Sequence, residues 1–114
     1  MADHVIEIKD FTFNAPSGEP VVVEVGDTVR WVNLDPPPHR HNAVREEAPT
    51  FATRILAQNE TSDPVAFDQA TGADGIEYFC TPHPFMTGKI VVTARGSDKS
   101  YFTKQAAQRA SSQE

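Results

Sequence analysis

The chain has a single cysteine, Cys80, so no internal disulfide can form and the redox state of its compartment cannot be read from cross-links. Long apolar runs are missing too. Those that occur, such as Val21-Val22-Val23 and Ile90-Val91-Val92, fall far short of a bilayer-crossing length, so no membrane insertion is expected. Positive charge is scarce. The 10 Lys and Arg residues against 16 Asp and Glu leave a formal net charge of −6. That argues against unspecific binding to nucleic acid or anionic membranes, both of which want a basic face. An acidic surface reads first as solubility, and it also permits steering toward a basic partner. No Ser/His/Asp set, no carboxylate pair placed for acid–base work and no phosphate-cradling glycine loop stands out. Internal repeats are absent.

What remains is a chain of 114 residues, 39% hydrophobic and 23% charged, the size and balance of one compact domain with one core. Its dominant local signal is short β-type runs broken by turn residues. Val5-Ile6-Glu7-Ile8 leads to Phe11-Thr12-Phe13, and a second apolar run covers 21–25. Segment 28–33 puts Val29 and Trp31 on one face and Thr28, Arg30 and Val32 on the other. Segments 14–20 and 72–75 carry turn residues. Asp35-Pro36-Pro37-Pro38 stops regular structure, because prolines cannot donate ladder hydrogen bonds and restrict the residues before them. Segment 45–63 is polar and mixed, with room for a short helix and with Phe51, Ile55 and Leu56 as core anchors. Strands are expected at 65–67, 76–79 and 89–93. From residue 96 the composition turns to Ala, Gln and Ser, which divides the chain into a domain over 1–95 and a polar tail over 96–114, helical or disordered. Six to eight short strands with no strong helical period predict an all-β, antiparallel sandwich.

Chemistry is concentrated in Cys80-Thr81-Pro82-His83-Pro84-Phe85-Met86. Seven residues directly after a strand hold a thiolate, an imidazole and a thioether. One cysteine, two histidines and a weak axial methionine form the trigonal donor set of blue copper. The soft thiolate suits Cu(I), imidazoles tolerate both oxidation states, and the thioether tunes the potential. Pro82 and Pro84 bracket His83 and stiffen the loop. Each of the three donors alone reads more simply as a core or turn residue, and their joint spacing carries the signal. Zinc fits the set less well, since structural zinc sites favour more thiolates and rarely use a thioether.

That stretch, continued through Thr87-Gly88-Lys89-Ile90-Val91-Val92, closely resembles the ligand loop and last strand of the amicyanin group within the plastocyanin-like cupredoxin family. Val25-Gly26-Asp27-Thr28-Val29-Arg30-Trp31-Val32-Asn33 resembles the strand that precedes the first histidine ligand in the same family. The resemblance spans roughly residues 5–93 and is weak over 46–73. It implies a Greek-key β-sandwich that binds one type 1 copper ion and passes single electrons by Cu(I)/Cu(II) cycling. No substrate would be turned over, so the protein is not expected to be an enzyme. A copper carrier, delivery or sensing protein using the same ligands is the alternative. The implied partners are redox proteins, met by a monomer through His83 and an apolar patch of Pro36, Pro37, Pro38, Pro84 and Phe85. The residues after Met1 show no secretory signal, which leaves either a cytoplasmic protein or a mature form carrying an added methionine, and the expected location is periplasmic or otherwise exported, with the signal removed.

The family also implies an upstream histidine, and the sequence offers two. His39 stands at a suitable distance after Trp31, whereas His41 is followed by Asn42, and a His-Asn pair is the familiar form of this ligand. On an extended chain both histidines would point the same way, so periodicity does not choose. The resemblance favours His41, Cys80, His83 and Met86 as ligands, with Nδ1 of each histidine as donor and His39 as the alternative. It also implies that Asn42 ties the two ligand loops together. His4 raises a separate point. Loss of Met1 would leave Ala-Asp-His, which can form a square-planar site for Cu(II) or Ni(II), although an accident of the terminus is the simpler reading.

Overall fold

The computed structural model describes residues 2–94, so the expected tail over 96–114 lies outside the described residues. Among the described residues there are nine strands and no helix. They are β1 (Asp3–Lys9), β2 (Thr12–Phe13), β3 (Val21–Glu24), β4 (Thr28–Asn33), β5 (Val44–Arg45), β6 (Phe51–Ala52), β7 (Val65–Ala66), β8 (Ile76–Phe79) and β9 (Thr87–Thr93). They form two sheets, ordered β2-β1-β4-β7 and β3-β9-β8-β5-β6.

The all-β sandwich is as expected, but its sheets are mixed rather than antiparallel. β1 runs parallel to β4 from Asp3↔Thr28 to Ile8↔Asn33, and β3 runs parallel to β9 from Val21↔Ile90 to Glu24↔Thr93. Side-chain alternation reports which face of a strand is buried. It is blind to the identity and direction of the neighbour, and parallel partners have no local turn to announce them.

Alternation places the core. Ile6 and Ile8 of β1 and Val29 and Trp31 of β4 point inward, toward Val23, Ile76, Tyr78, Ile90 and Val92 of the second sheet. Trp31 is fully buried, stacks on Phe51 at 5.5 Å between centroids and donates its Nε1–H to Tyr78 Oη at 3.1 Å. The indole thereby buries a large apolar surface without stranding its one polar group. Burial pushes the Tyr78 phenol above its ordinary range, with the Trp31 N–H opposing, so the hydroxyl stays protonated between the sheets.

Segment 45–63 holds short strands and bridges instead of a helix. Val32 pairs with Thr61 and His41 pairs with Leu56 in isolated antiparallel bridges. Leu56 is buried and Phe51 half-buried against the core, but Ile55 is 46% exposed and is no core anchor. Neighbours on an extended chain face opposite ways, and the bridge to His41 turns Leu56, not Ile55, inward.

Two predictions test this frame. A Cβ at Gly88 would lie 2.5 Å from Cζ and Oη of Tyr78, so Gly88→Ala should cost roughly 1–3 kcal/mol by overpacking. The readout is a lower urea midpoint at unchanged m-value, and a wild-type midpoint would mean that the Tyr78 ring yields freely. The second concerns Asp27, which is buried at the start of β4. The Glu24 N–H holds its carboxyl far below the usual range against the opposing effect of burial, helped by His4 and by the Ala2 N–H. A depressed carboxyl stabilises the fold above the unfolded value of about 3.9, and that contribution is lost as pH falls toward the folded value. Urea midpoints of wild type and Asp27→Asn should therefore differ most near neutral pH and converge below about pH 4. Parallel pH profiles would show that Asp27 carries no such stabilisation.

Candidate metal centre

Three loops meet at one end of the sandwich. Because β1 and β4 are parallel, Asp10 and Phe11 leave β1 beside the point where Leu34 and Asp35 leave β4, and the Leu34 N–H prolongs the pairing by donating to the Ile8 carbonyl at 2.8 Å. Asp10 and Phe11 both have left-handed backbones, at φ 54° and 58°. That conformation is costly for side chains beyond glycine, and here the Asp35 carboxylate stabilises it. The Asp10 N–H donates to Oδ1 at 2.6 Å and the Phe11 N–H to Oδ2 at 3.1 Å. The third loop joins β8 to β9 through nested turns. The His83 N–H donates to the Cys80 carbonyl at 3.2 Å, the Met86 N–H to the His83 carbonyl at 2.8 Å, and the Cys80 N–H to the Met86 carbonyl at 3.1 Å.

These loops bring His41, Cys80 and His83 together. Cys80 Sγ lies 3.6 Å from His41 Nδ1 and 3.5 Å from His83 Nδ1. His41 and Cys80 are fully buried, while His83 is half-buried. Metal–thiolate and metal–imidazole bonds of about 2.3 and 2.0 Å, at trigonal angles, would set sulfur and nitrogen about 3.7 Å apart. One soft sulfur and two imidazole nitrogens at these separations suit one copper ion. Met86 is buried in the core cluster that also contains Cys80.

His41 is held on every side. Its backbone pairs with Leu56 through N–H to carbonyl bonds of 3.2 and 2.8 Å. Its Nε2 lies 2.8 Å from Asp35 Oδ2. An ionised carboxylate only accepts, so the proton sits on Nε2 and the Nδ1 lone pair faces Cys80. Burial disfavours the charge on Asp35, but the N–H groups of Asp10 and Phe11 and the His41 imidazole keep its carboxyl below the usual range. Burial lowers the His83 pKa, and the imidazoles of His41 and His39 lower it further, so the neutral form is favoured.

His39 does not join the cluster. Its N–H closes a turn onto the Pro36 carbonyl at 3.1 Å, and its ring packs on Phe11 at 4.8 Å. The proline segment is irregular, so strand alternation never applies between His39 and His41. Asn42 spans the loops that carry His41 and Cys80. Its Nδ2 donates to Thr81 Oγ1 at 3.0 Å and its Oδ1 accepts the Thr81 N–H at 2.8 Å. His4 sits at the far end of β1, with Nε2 2.9 Å from Asp27 Oδ2. The same carboxylate accepts the Ala2 N–H at 2.8 Å.

Sequence reasoning passed over two residues. Phe11 was expected in a strand with Phe13, but it lies in the left-handed turn, where its ring meets His39, His41 and His83 edge-on and stacks on Phe85. Asp35 precedes three prolines, and nothing in the sequence marks it as a partner of His41.

The description "copper binding proteins, plastocyanin/azurin family" belongs to the family model that matches residues 2–93. The amicyanin of Paracoccus denitrificans is 35% identical over 89 residues, covering 77% of this chain and 63% of that protein. The amicyanin of Paracoccus versutus is 34% identical over 92 residues, with the same 77% and 63% shares. The chain thus spans less than two thirds of the length of these relatives. Among solved structures, a reduced tryptophan-to-tyrosine mutant of amicyanin matches with a TM-score of 0.64 and 28% identity, over 77% of this chain and 79% of that one. The reduced Cu(I) form at pH 4 of a proline-to-glycine mutant of amicyanin matches with a TM-score of 0.63 and 29% identity, over 77% and 79%.

The Asn42 bridge is directly testable. Asn42→Ala removes these side-chain bonds and leaves the N–H of the exposed Thr81 to water, which should cost about 0.5–1.5 kcal/mol. Amide hydrogen exchange at Thr81 should accelerate well beyond exchange in β4. An unchanged Thr81 rate would mean that the loops are held together by other contacts.

Proposed function

The chain belongs to the plastocyanin/azurin family of copper binding proteins, and from that premise we propose that it carries single electrons between redox partners at a type 1 copper site ligated by His41, Cys80, His83 and Met86. The observation that supports this most is Cys80 Sγ flanked by two histidine Nδ1 atoms at 3.5 and 3.6 Å, buried on the His41 side and reaching the surface at His83. Bound copper supplies a one-electron couple that no side chain here provides.

The residues have separate tasks. Cys80 would offer the soft thiolate and Met86 a weak thioether. His41 presents a fixed Nδ1 lone pair. His83 stays neutral and available, and its loop is stiffened by Pro82, Pro84, the nested turns and the Asn42 bridge. A donor set that barely moves loses little energy to reorganisation at each transfer. Phe85 is 73% exposed, and Pro36, Pro37, Pro38 and Pro84 are exposed as well. They would make a small apolar face for brief encounters with redox proteins. No bond of a substrate is made or broken in this role, so the protein is not an enzyme in this reading. It acts as a monomer, in the exported, periplasmic compartment that the resemblance implies. Burial of His41, Cys80 and Met86 favours a retained ion over a copper carrier, which needs ready exchange.

Optical titration with Cu(II) tests the assignment. An intense visible thiolate-to-copper band should appear in the wild type and in His39→Ala, and should be lost in Cys80→Ala and His41→Ala. Metal binding without the band would sink the blue-copper reading. A band whose ion passes rapidly to a chelator would favour the carrier.

A further inference from the structure

We propose that Asp35 is a positioning residue for the copper couple: its carboxylate holds the His41 Nε2–H and thereby lowers the reduction potential. This rests on the copper reading above.

Asp35 is only 3% exposed. Its Oδ2 lies 2.8 Å from His41 Nε2 and also accepts the Phe11 N–H, while Oδ1 accepts the Asp10 N–H. Its own N–H donates to Asn33 Oδ1 at 2.8 Å, which fixes the backbone from which the carboxylate projects. Among the described residues His41 is its one ion-pair partner, and no lysine or arginine neutralises it. The charge therefore acts through the imidazole in a region of low dielectric, where charge interactions are stronger than in water. A carboxylate drawing on the Nε2 proton makes Nδ1 a more basic ligand. It also places negative charge near the metal, which favours Cu(II) over Cu(I). His83 has no such carboxylate among the described residues, so the two imidazoles are electronically unequal.

A purely structural Asp35 would only satisfy the Asp10 and Phe11 N–H groups and pin the Phe11 ring. The two roles separate in the potential. Voltammetry of the copper-loaded wild type, Asp35→Asn and Asp35→Glu is the experiment, with the visible band recorded alongside. Asp35→Asn should keep the band but favour Cu(I) over Cu(II) by roughly tenfold relative to wild type, a rise of about 59 mV for a one-electron couple. Asp35→Glu, which keeps the charge, should recover most of that shift. Phe11→Leu disturbs the ring without touching the charge and should leave the potential nearer wild type. An intact band with an unchanged potential in Asp35→Asn would overturn the proposal and leave the copper reading standing. Absence of the band in the wild type would instead overturn the copper reading. If neither Asp35 variant folds, the wild type decides through the NMR signal of the His41 Nε2 proton. A strongly downfield, slowly exchanging resonance is expected, and an ordinary, rapidly exchanging one would overturn the proposal.

Discussion

The parallel pairing of β1 with β4 is the constraint on which both ends of the molecule depend. Two aspartates bracket β4, and each reaches across to clamp one end of β1. Asp27 accepts the Ala2 N–H and engages His4, whereas Asp35 accepts the N–H groups of Asp10 and Phe11 and engages His41. The same offset of 25 residues runs through both clamps and the ladder between them. A one-residue slip of β1 against β4 would turn Ile6 and Ile8 away from the core and would take both carboxylates off their donors. Register, core and polar clamps thus specify one another. The clamp at Asp35 happens to be the wall of the metal centre.

That wall is unusually polar for a buried region. Asn33, Asp35, His41 and Asn42 are all nearly inaccessible, and each would be costly there without partners. Each has them. Asn33 donates to the carbonyls of His39 and Leu56 and accepts the Asp35 N–H, and Asn42 spans to Thr81. A fully satisfied network of this kind is stiff because loosening any member exposes another's unmet bond. Stiffness around the donor set is what one-electron chemistry asks of a protein.

The legible parts of the sequence were those whose meaning is local. Cys80, His83 and Met86 fall within one short loop, so their spacing announced a donor set, and alternation in 28–33 correctly put Val29 and Trp31 inside. The His41-Asn42 pair was readable only through family resemblance, because the irregular proline segment removes the strand periodicity that would otherwise relate His41 to His39. Asp35 and Phe11 were out of reach. Their roles come from a parallel pairing between segments 25 residues apart, which no nearby turn signals. Ile55 was misplaced for a related reason. The two-residue bridge that turns Leu56 inward is set by His41, and no periodic pattern in 45–63 records it.

In the proposed centre the two histidines would divide between them a conflict that any such centre faces. A metal is retained by burial, yet an electron must leave through something a partner can approach. His41 would serve retention, being fully buried, paired through its backbone and tied to Asp35. His83 would serve access, half-buried in a loop whose neighbour Phe85 stands in solvent. Phe11 links the two sides. Its ring lies 5.0 Å from His41 and 4.8 Å from His83, edge-on to both, and stacks on Phe85 at 6.2 Å. Its backbone N–H shares Asp35 Oδ2 with the His41 imidazole. The apolar face that a partner would meet and the hydrogen bond that orients the buried ligand therefore converge on one carboxylate oxygen. A carboxylate can receive the Asp10 and Phe11 N–H groups on separate oxygens, which a side-chain amide, with one acceptor oxygen, cannot do. One residue thus holds the shape of the Asp10–Phe11 turn and engages the His41 imidazole at the same time.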